Sequence, residues 1–131
     1  KAGDSRWVHR PFADWQRIER RHDASTIEGR VYQALQQLIA IRKEHAAFAG
    51  HNTTVLDTGN LHVFGYVRQH GGERVLALAN FSEHPQAIAA SLLRIHGLGY
   101  VFKDLVTGRA VALDGDLPLD PYQFAWLVVL A

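Results

Sequence analysis

Cysteine and methionine are both missing from the 131 residues, and proline occurs only four times. Without cysteine there can be no disulfide and no thiolate metal site, an absence that suits a reducing cytoplasm and a secreted protein equally, so the compartment stays open. Without methionine a chain that begins at Lys1 has no initiator residue, and it reads as a mature or trimmed piece of something larger. An excess of one charge is missing too. Fourteen Lys and Arg stand against thirteen Asp and Glu, a formal charge of +1. No run of about five like charges occurs, so there is no basic surface for a nucleic-acid or anionic-membrane partner. No apolar run approaches the ~18 residues of a membrane span, and the opening KAGDSRWVHR lacks the apolar centre of a signal peptide. What is present, 47% hydrophobic and 21% charged residues, is the mixture of a folded domain.

Residues 1–23 hold two of the three tryptophans among dense charges, and Pro11 interrupts any early helix. A loop is expected there, then a short helix over Ala13 to Arg21. Ser25-Thr26-Ile27-Glu28 has the form of a capping box, serine to glutamate three residues on, and predicts a helix starting at Ser25. Ile27, Val31, Ala34, Leu35, Leu38 and Ile41 recur at intervals of three and four, carrying the helix to Phe48, with Gly50 as the stop. Tyr32 and Ile39 add apolar groups on a second side, more than one sandwich contact requires.

Beyond Gly50 the helical period gives way to short runs rich in Val, Leu, Phe and Tyr, spaced by turn residues. These are Thr53 to Leu56, Leu61 to Arg68, Val75 to Phe81, Gln86 to Ala89, Tyr100 to Leu105, Ala110 to Leu113 and Tyr122 to Leu130. Seven or eight such strands predict an antiparallel β-sandwich. Leu76 to Ala79 and Phe124 to Leu130 are apolar on both faces, which predicts central strands covered on two sides.

Signatures of self-contained catalysis are absent: there is no GxSxG, P-loop, HExxH or strand-GxGxxG-helix unit, and Gly97-Leu98-Gly99 reads as a turn. The eight histidines never pair at metal-ligand spacing, so no metal and no cofactor is expected; His9 is kept in view for its place in the Trp-rich start. Of two glycosylation triplets, Asn52-Thr53-Thr54 and Asn80-Phe81-Ser82, the second ends a predicted strand, where the Asn80 amide is better placed to cap a turn. Asp114 and Asp116 flank Gly115 as a solvated hairpin tip. Trp7, Phe12 and Trp15 beside Arg6 and Arg10 combine flat apolar faces with forked donors, as sugar sites do; composition alone favours an anchor strapping the segment to a core.

Asp4-Ser5-Arg6-Trp7-Val8-His9-Arg10-Pro11, the long capped helix, Val75 to Ser82, Asp104-Leu105-Val106-Thr107-Gly108 and the closing Leu119 to Leu127 together resemble the C-terminal part of amylosucrases, sucrose-using transglucosylases of the α-amylase superfamily. The resemblance implies a mainly β fold with N-terminal helices. Residues 1–50 would be the closing loop and helices of a (β/α)8 barrel, and 51–131 an antiparallel β-sandwich, domain C. It also implies that the catalytic carboxylates, which retaining chemistry needs as a pair about 5 Å apart, lie upstream, so none of the catalytic residues is in this chain. The implied partners are sucrose, an α-glucan and the missing barrel. Arg6 matches the arginine that pairs with an upstream aspartate at the floor of the glucose pocket, and Asp4 lies beside it as a second substrate-binding candidate. Two other functions share these features: a sucrose hydrolase of the same subfamily, and a noncatalytic sandwich that binds glucans. The last needs an exposed aromatic pair, for which Phe64, Tyr66, Tyr100 and Tyr122 are the candidates; their pattern suggests the core instead.

Overall fold

The computed structural model describes residues 3–4 and 12–130 and divides into two compact units, Lys1–Leu38 and Ile39–Ala131. In the first unit, helix α1 spans Trp15–Glu19, with Asp14 as its cap: the Asp14 carboxylate accepts from the Arg17 N–H at 3.0 Å. A 3-10 turn, Arg20–His22, follows.

Helix α2 spans Ile27–Glu44, and its cap differs from the one expected. Thr26, not Ser25, holds the first turn: its hydroxyl accepts from the Gly29 N–H at 3.0 Å, and its carbonyl receives the Arg30 N–H. Ser25 turns back to the Asp23 carboxylate instead, and Glu28 leaves the capping box to take Arg17 Nε at 2.7 Å. That hydrogen bond is the main reason the Glu28 carboxyl sits below its ordinary value. A Cβ at Gly29 would run into the backbone carbonyl of Asp23, so the Asp23–Thr26 loop can close only over a glycine. Along α2, Ile27, Val31, Leu35 and Ile39 are all more than half exposed, and only Ile41 of the apolar stripe is buried.

The second unit is built on a six-stranded antiparallel sheet in the order β1-β2-β3-β8-β5-β6. Its strands are β1 (Asn52–Leu56), β2 (Val63–His70), β3 (Glu73–Asn80), β5 (Val101–Asp104), β6 (Ala110–Ala112) and β8 (Phe124–Val129). Strands β3 and β8 are central, as their two-faced apolar sequences require. Both inner residues, Leu76 and Leu78, and outer residues, Val75 and Ala77, are buried on β3.

The inner layer is not a matching second sheet. It consists of a two-stranded ribbon, β4 (Gln86–Ile88) against β7 (Leu117–Leu119), and helix α3 (Ala90–Gly97). Neither β7 nor α3 is among the elements expected from sequence. The cap of α3 is remote: its Ala90 N–H donates to the Asp116 carboxylate at 3.3 Å, which gives the supposed hairpin tip a structural task. Strand β7 carries Pro118, tolerable because its one partner is β4. Ile88, Leu93, Phe102, Leu119 and Leu127 close this core at 1% exposure or less. The α3 terminus is crowded by that packing. A Cβ on Gly97 would strike Phe102 and one on Gly99 would strike Val129, and Leu98 between them takes the left-handed turn at φ 62°.

Within this unit, Ile41 and Ala47 and Phe48 of a 3-10 turn cover one end of the outer face of the sheet, packing on Val75 and Leu105. Glu73 fastens this cover, one carboxylate oxygen 2.5 Å from His45 Nδ1 and the other accepting from the Ala47 N–H at 3.0 Å. Partial burial pushes the Glu73 carboxyl up, but the hydrogen bonds from His45 and the Ala47 N–H outweigh it and hold its pKa below the ordinary 4.5. A carboxyl depressed by folding adds stability that is present above its unfolded pKa and is lost as pH falls through the lower folded value. Acidification from about pH 6 to pH 3 should therefore lower the melting temperature of the native chain more than that of Glu73→Gln. Parallel melting curves for the two proteins across that range would refute the clamp.

Candidate functional site

Strand alternation decides which aromatic groups the outer face displays. On β2, Val63, Gly65 and Val67 point inward, which leaves Phe64 and Tyr66 outward. On β8, Ala125 and Leu127 point inward, which leaves Phe124 and Trp126 outward. Between these strands runs β3, whose outward residues at this level are Ala77 and Ala79. Ala77 is paired with Tyr66 and Trp126, and Ala79 with Phe64 and Phe124. The result is a trough with an alanine floor and aromatic walls standing two strand spacings, roughly 10 Å, apart. The Phe64 and Tyr66 rings lie 5.7 Å apart at 41°, and those of Phe124 and Trp126 6.2 Å apart at 64°.

The hollow at its closed end holds about 370 Å³ and is bounded by Phe48, Tyr66, Trp126, Thr53, Arg42 and Arg68. Arg68 gives its terminal nitrogen to the carbonyls of Phe48 and Gly50, while its buried Nε has no acceptor. Phe64 is 46% exposed and Phe124 37%.

This corrects the placing of the four candidate aromatics in the core. Tyr66 is half-buried, Phe64 is exposed, and Tyr100 and Tyr122 are exposed by about two thirds. Tyr100 lies under the Arg94 guanidinium, 5.1 Å from its ring centre, and Tyr122 is lifted out by a turn in which its φ is 58°. Alternation shows that these strands have two apolar faces without showing which one the rest of the molecule covers.

A family model described as the maltogenic amylase C-terminal domain matches residues 53–126, more than half of the chain and the whole run from β1 into β8. The chain belongs to this family. Its second unit is an α-amylase-type C-terminal domain, mostly antiparallel sheet with a few helices. Trehalose synthase from Thermus thermophilus is 39% identical over 64 residues, which are 48% of this chain and 7% of that protein. Two solved structures share the fold. AmyP in complex with maltose has a TM-score of 0.66 at 17% identity over 76% of this chain, and the trehalulose synthase MutB from Pseudomonas mesoacidophila has 0.59 at 24% over 74%. The chain spans 20% of the first of these structures and 17% of the second.

Of the residues proposed to bind substrate, Arg6 lies outside the described residues, as do Trp7, His9 and Arg10 of the same segment. Asp4 is half-buried. Phe12 and Trp15 are 94% and 71% exposed. Among the described residues no three His, Cys, Asp or Glu side chains gather into a metal site, and no helix is long and apolar enough to cross a membrane.

The motifs within the domain that share in the resemblance have architectural roles. Asp104 is 4% exposed; one of its oxygens accepts from the Val106 and Trp126 N–H groups, and the other from the Thr107 hydroxyl at 2.7 Å. Asn80 is 2% exposed and has its amide wholly engaged, so the glycosylation triplet it begins is closed to modification in the folded protein.

Proposed function

We propose that this chain is the C-terminal part of an amylosucrase-like enzyme, which transfers glucosyl units from sucrose to an α-1,4-glucan and releases fructose. The DSRWVHRP run at residues 4–11, set ahead of a C-terminal domain of the maltogenic amylase family, carries this reading. Residues 1–50 then end the catalytic barrel, residues 51–131 form domain C, and Arg6 with Asp4 borders the glucose pocket. The open apolar stripe of α2, from Ile27 to Ile39, supports the assignment, since a closing barrel helix has a barrel to pack on. Further support comes from MutB, a variant of which was solved in complex with the substrate sucrose.

The matches to trehalose synthase and trehalulose synthase favour a second reading, in which the glucosyl unit goes to another sugar rather than to a growing glucan. In a third, sucrose hydrolysis, water takes it. Chromatography of the products that the full-length enzyme makes from sucrose separates the three. Fructose with α-glucan is the expected outcome, fructose with equimolar glucose marks a hydrolase, and a new disaccharide without free fructose marks an isomerising synthase. Purified residues 1–131 alone should release no fructose, because the catalytic carboxylates are assigned upstream; fructose above a buffer control would sink that assignment.

A further inference from the structure

We infer that Asp114 is a site of spontaneous isoaspartate formation, and that the change releases helix α3 from its cap. The reacting groups are the Asp114 carboxyl and the Gly115 nitrogen.

Asp114-Gly115 is the single Asp-Gly pair in the chain, and no Asn-Gly pair occurs. Glycine leaves its own nitrogen uncrowded and its backbone free to turn toward the preceding carboxyl. The fold leaves both groups uncommitted: among the described residues neither the Asp114 carboxylate nor the Gly115 N–H has a hydrogen-bond or ion-pair partner. Other aspartates are held. Asp57 accepts from the Gly59 N–H, Asp23 from the Ser25 hydroxyl and Asp104 from the Val106 N–H, while Asp120 precedes Pro121, whose nitrogen has no hydrogen to give up.

In the reaction the Gly115 nitrogen attacks the carbon of the protonated Asp114 carboxyl. The new C–N bond closes a succinimide ring, and the carboxyl hydroxyl leaves with the amide proton as water. Water then adds back at one ring carbonyl. Opening at the former side-chain carbonyl restores aspartate, whereas opening at the α-carbonyl gives isoaspartate, whose backbone runs through Cβ and is longer by one methylene.

Helix α3 pins this loop on both sides of the pair. Before it, the Leu113 carbonyl accepts from the Arg94 guanidinium of α3; after it, the Asp116 carboxylate accepts from the Ala90 N–H that opens the helix. A methylene inserted between these two bonds displaces Asp116 from Ala90. The residue before α3 is Ala89, which has no side chain able to take over the cap.

Ageing the full-length protein at neutral pH in water enriched in heavy oxygen, with digestion in ordinary water, tests the inference. Ring opening leaves one heavy oxygen in the tryptic peptide that starts at Ala110, and methyl transfer by a protein isoaspartyl methyltransferase marks the isoaspartate product. Both signals should grow with time, with fragment ions placing them at residue 114, while the peptides carrying Asp57 and Asp104 stay unlabelled. Gly115→Val probes the chemistry with little disturbance of the fold, because a Cβ there meets nothing within 4 Å. Its branched side chain crowds the attacking nitrogen and should slow labelling at least about tenfold. In the isoaspartate fraction the Ala90 amide should exchange with solvent deuterium at least about tenfold faster than in fresh protein. Native protein that stays unlabelled while urea-unfolded protein takes up label would overturn the inference, since the fold would then hold the two groups apart. Unchanged exchange at Ala90 in the isoaspartate fraction would overturn the link to α3.

Discussion

Asn80→Ala should destabilise the domain by about 3 kcal/mol, a cost at the upper end for one polar side chain. The Asn80 amide nitrogen donates to the carbonyls of His84 at 2.8 Å, Asp120 at 2.9 Å and Leu119 at 3.3 Å. Its oxygen accepts from the Ser82 N–H at 2.9 Å and the Ser82 hydroxyl at 2.8 Å. One side chain thus ties the end of β3, the turn before β4 and the segment joining β7 to β8. Truncation strands the carbonyl of the buried Leu119, at about 1–3 kcal/mol before relaxation, and takes their donor from the partly buried carbonyls of His84 and Asp120. Asn80→Asp is no rescue, because it aims carboxylate oxygens at the same carbonyls. Ser82→Ala removes only the hydroxyl and should cost about 1 kcal/mol. Urea unfolding of the three variants checks the order; an Asn80→Ala midpoint within error of the native one would mean that the network carries no net stability.

Asn80 also marks the limit of what could be read from the sequence. Its place after an apolar strand, two residues before Ser82, identified a turn cap. Its bonds to Leu119 and Asp120 depend on packing across some forty residues and leave no local trace. The same distinction separates the two helices of α2 and α3 type. Helix α2 announces itself through a hydroxyl cap and a periodic stripe, and the one-residue shift from Ser25 to Thr26 arose because Asp23 and Arg17 offered Ser25 and Glu28 better partners. Helix α3 has no capping side chain of its own, and the carboxylate that serves it arrives from Asp116. Pro118 concealed β7, since proline argues against a strand until the single partner strand is known. For the trough, the sequence pattern suggests the core for Phe64 and Tyr66, whereas the structure closes the face of Val63 and Val67 instead. The small inner partner Gly65, lying against Leu78 and Thr58, helps to make the valine face the closed one. Arg6 was legible only through resemblance; an arginine among tryptophans has too many structural uses for composition to choose.

In the full-length enzyme, Arg6→Lys and Arg6→Ala are each expected to lower kcat/KM for sucrose by at least about a hundredfold, some 2.7 kcal/mol at the transition state. The proposed pocket asks one side chain to hold an upstream carboxylate and a sugar hydroxyl together. A guanidinium does both, because its five donors lie in one rigid plane and two can grip the carboxylate while others face the sugar. Lysine offers a compact charge on a flexible stem and cannot span the two, so the conservative replacement should fail nearly as badly as alanine. Alanine would further leave the aspartate buried without its counter-charge, an effect on the order of 3–5 kcal/mol where a buried pair is broken. Because that carboxylate would then take up a proton more readily, the activity of Arg6→Ala should also rise toward low pH relative to the native enzyme, a change that loss of a mere anchor would not produce. The C-terminal domain should keep its melting temperature, since its core is closed by residues between Leu56 and Leu127. Steady-state kinetics over pH, with thermal melts of both variants, decide between the two roles. Near-normal turnover by Arg6→Lys would return Arg6 to the anchoring part that its tryptophan-rich setting suggests, and would take the glucose pocket away from residues 4–11.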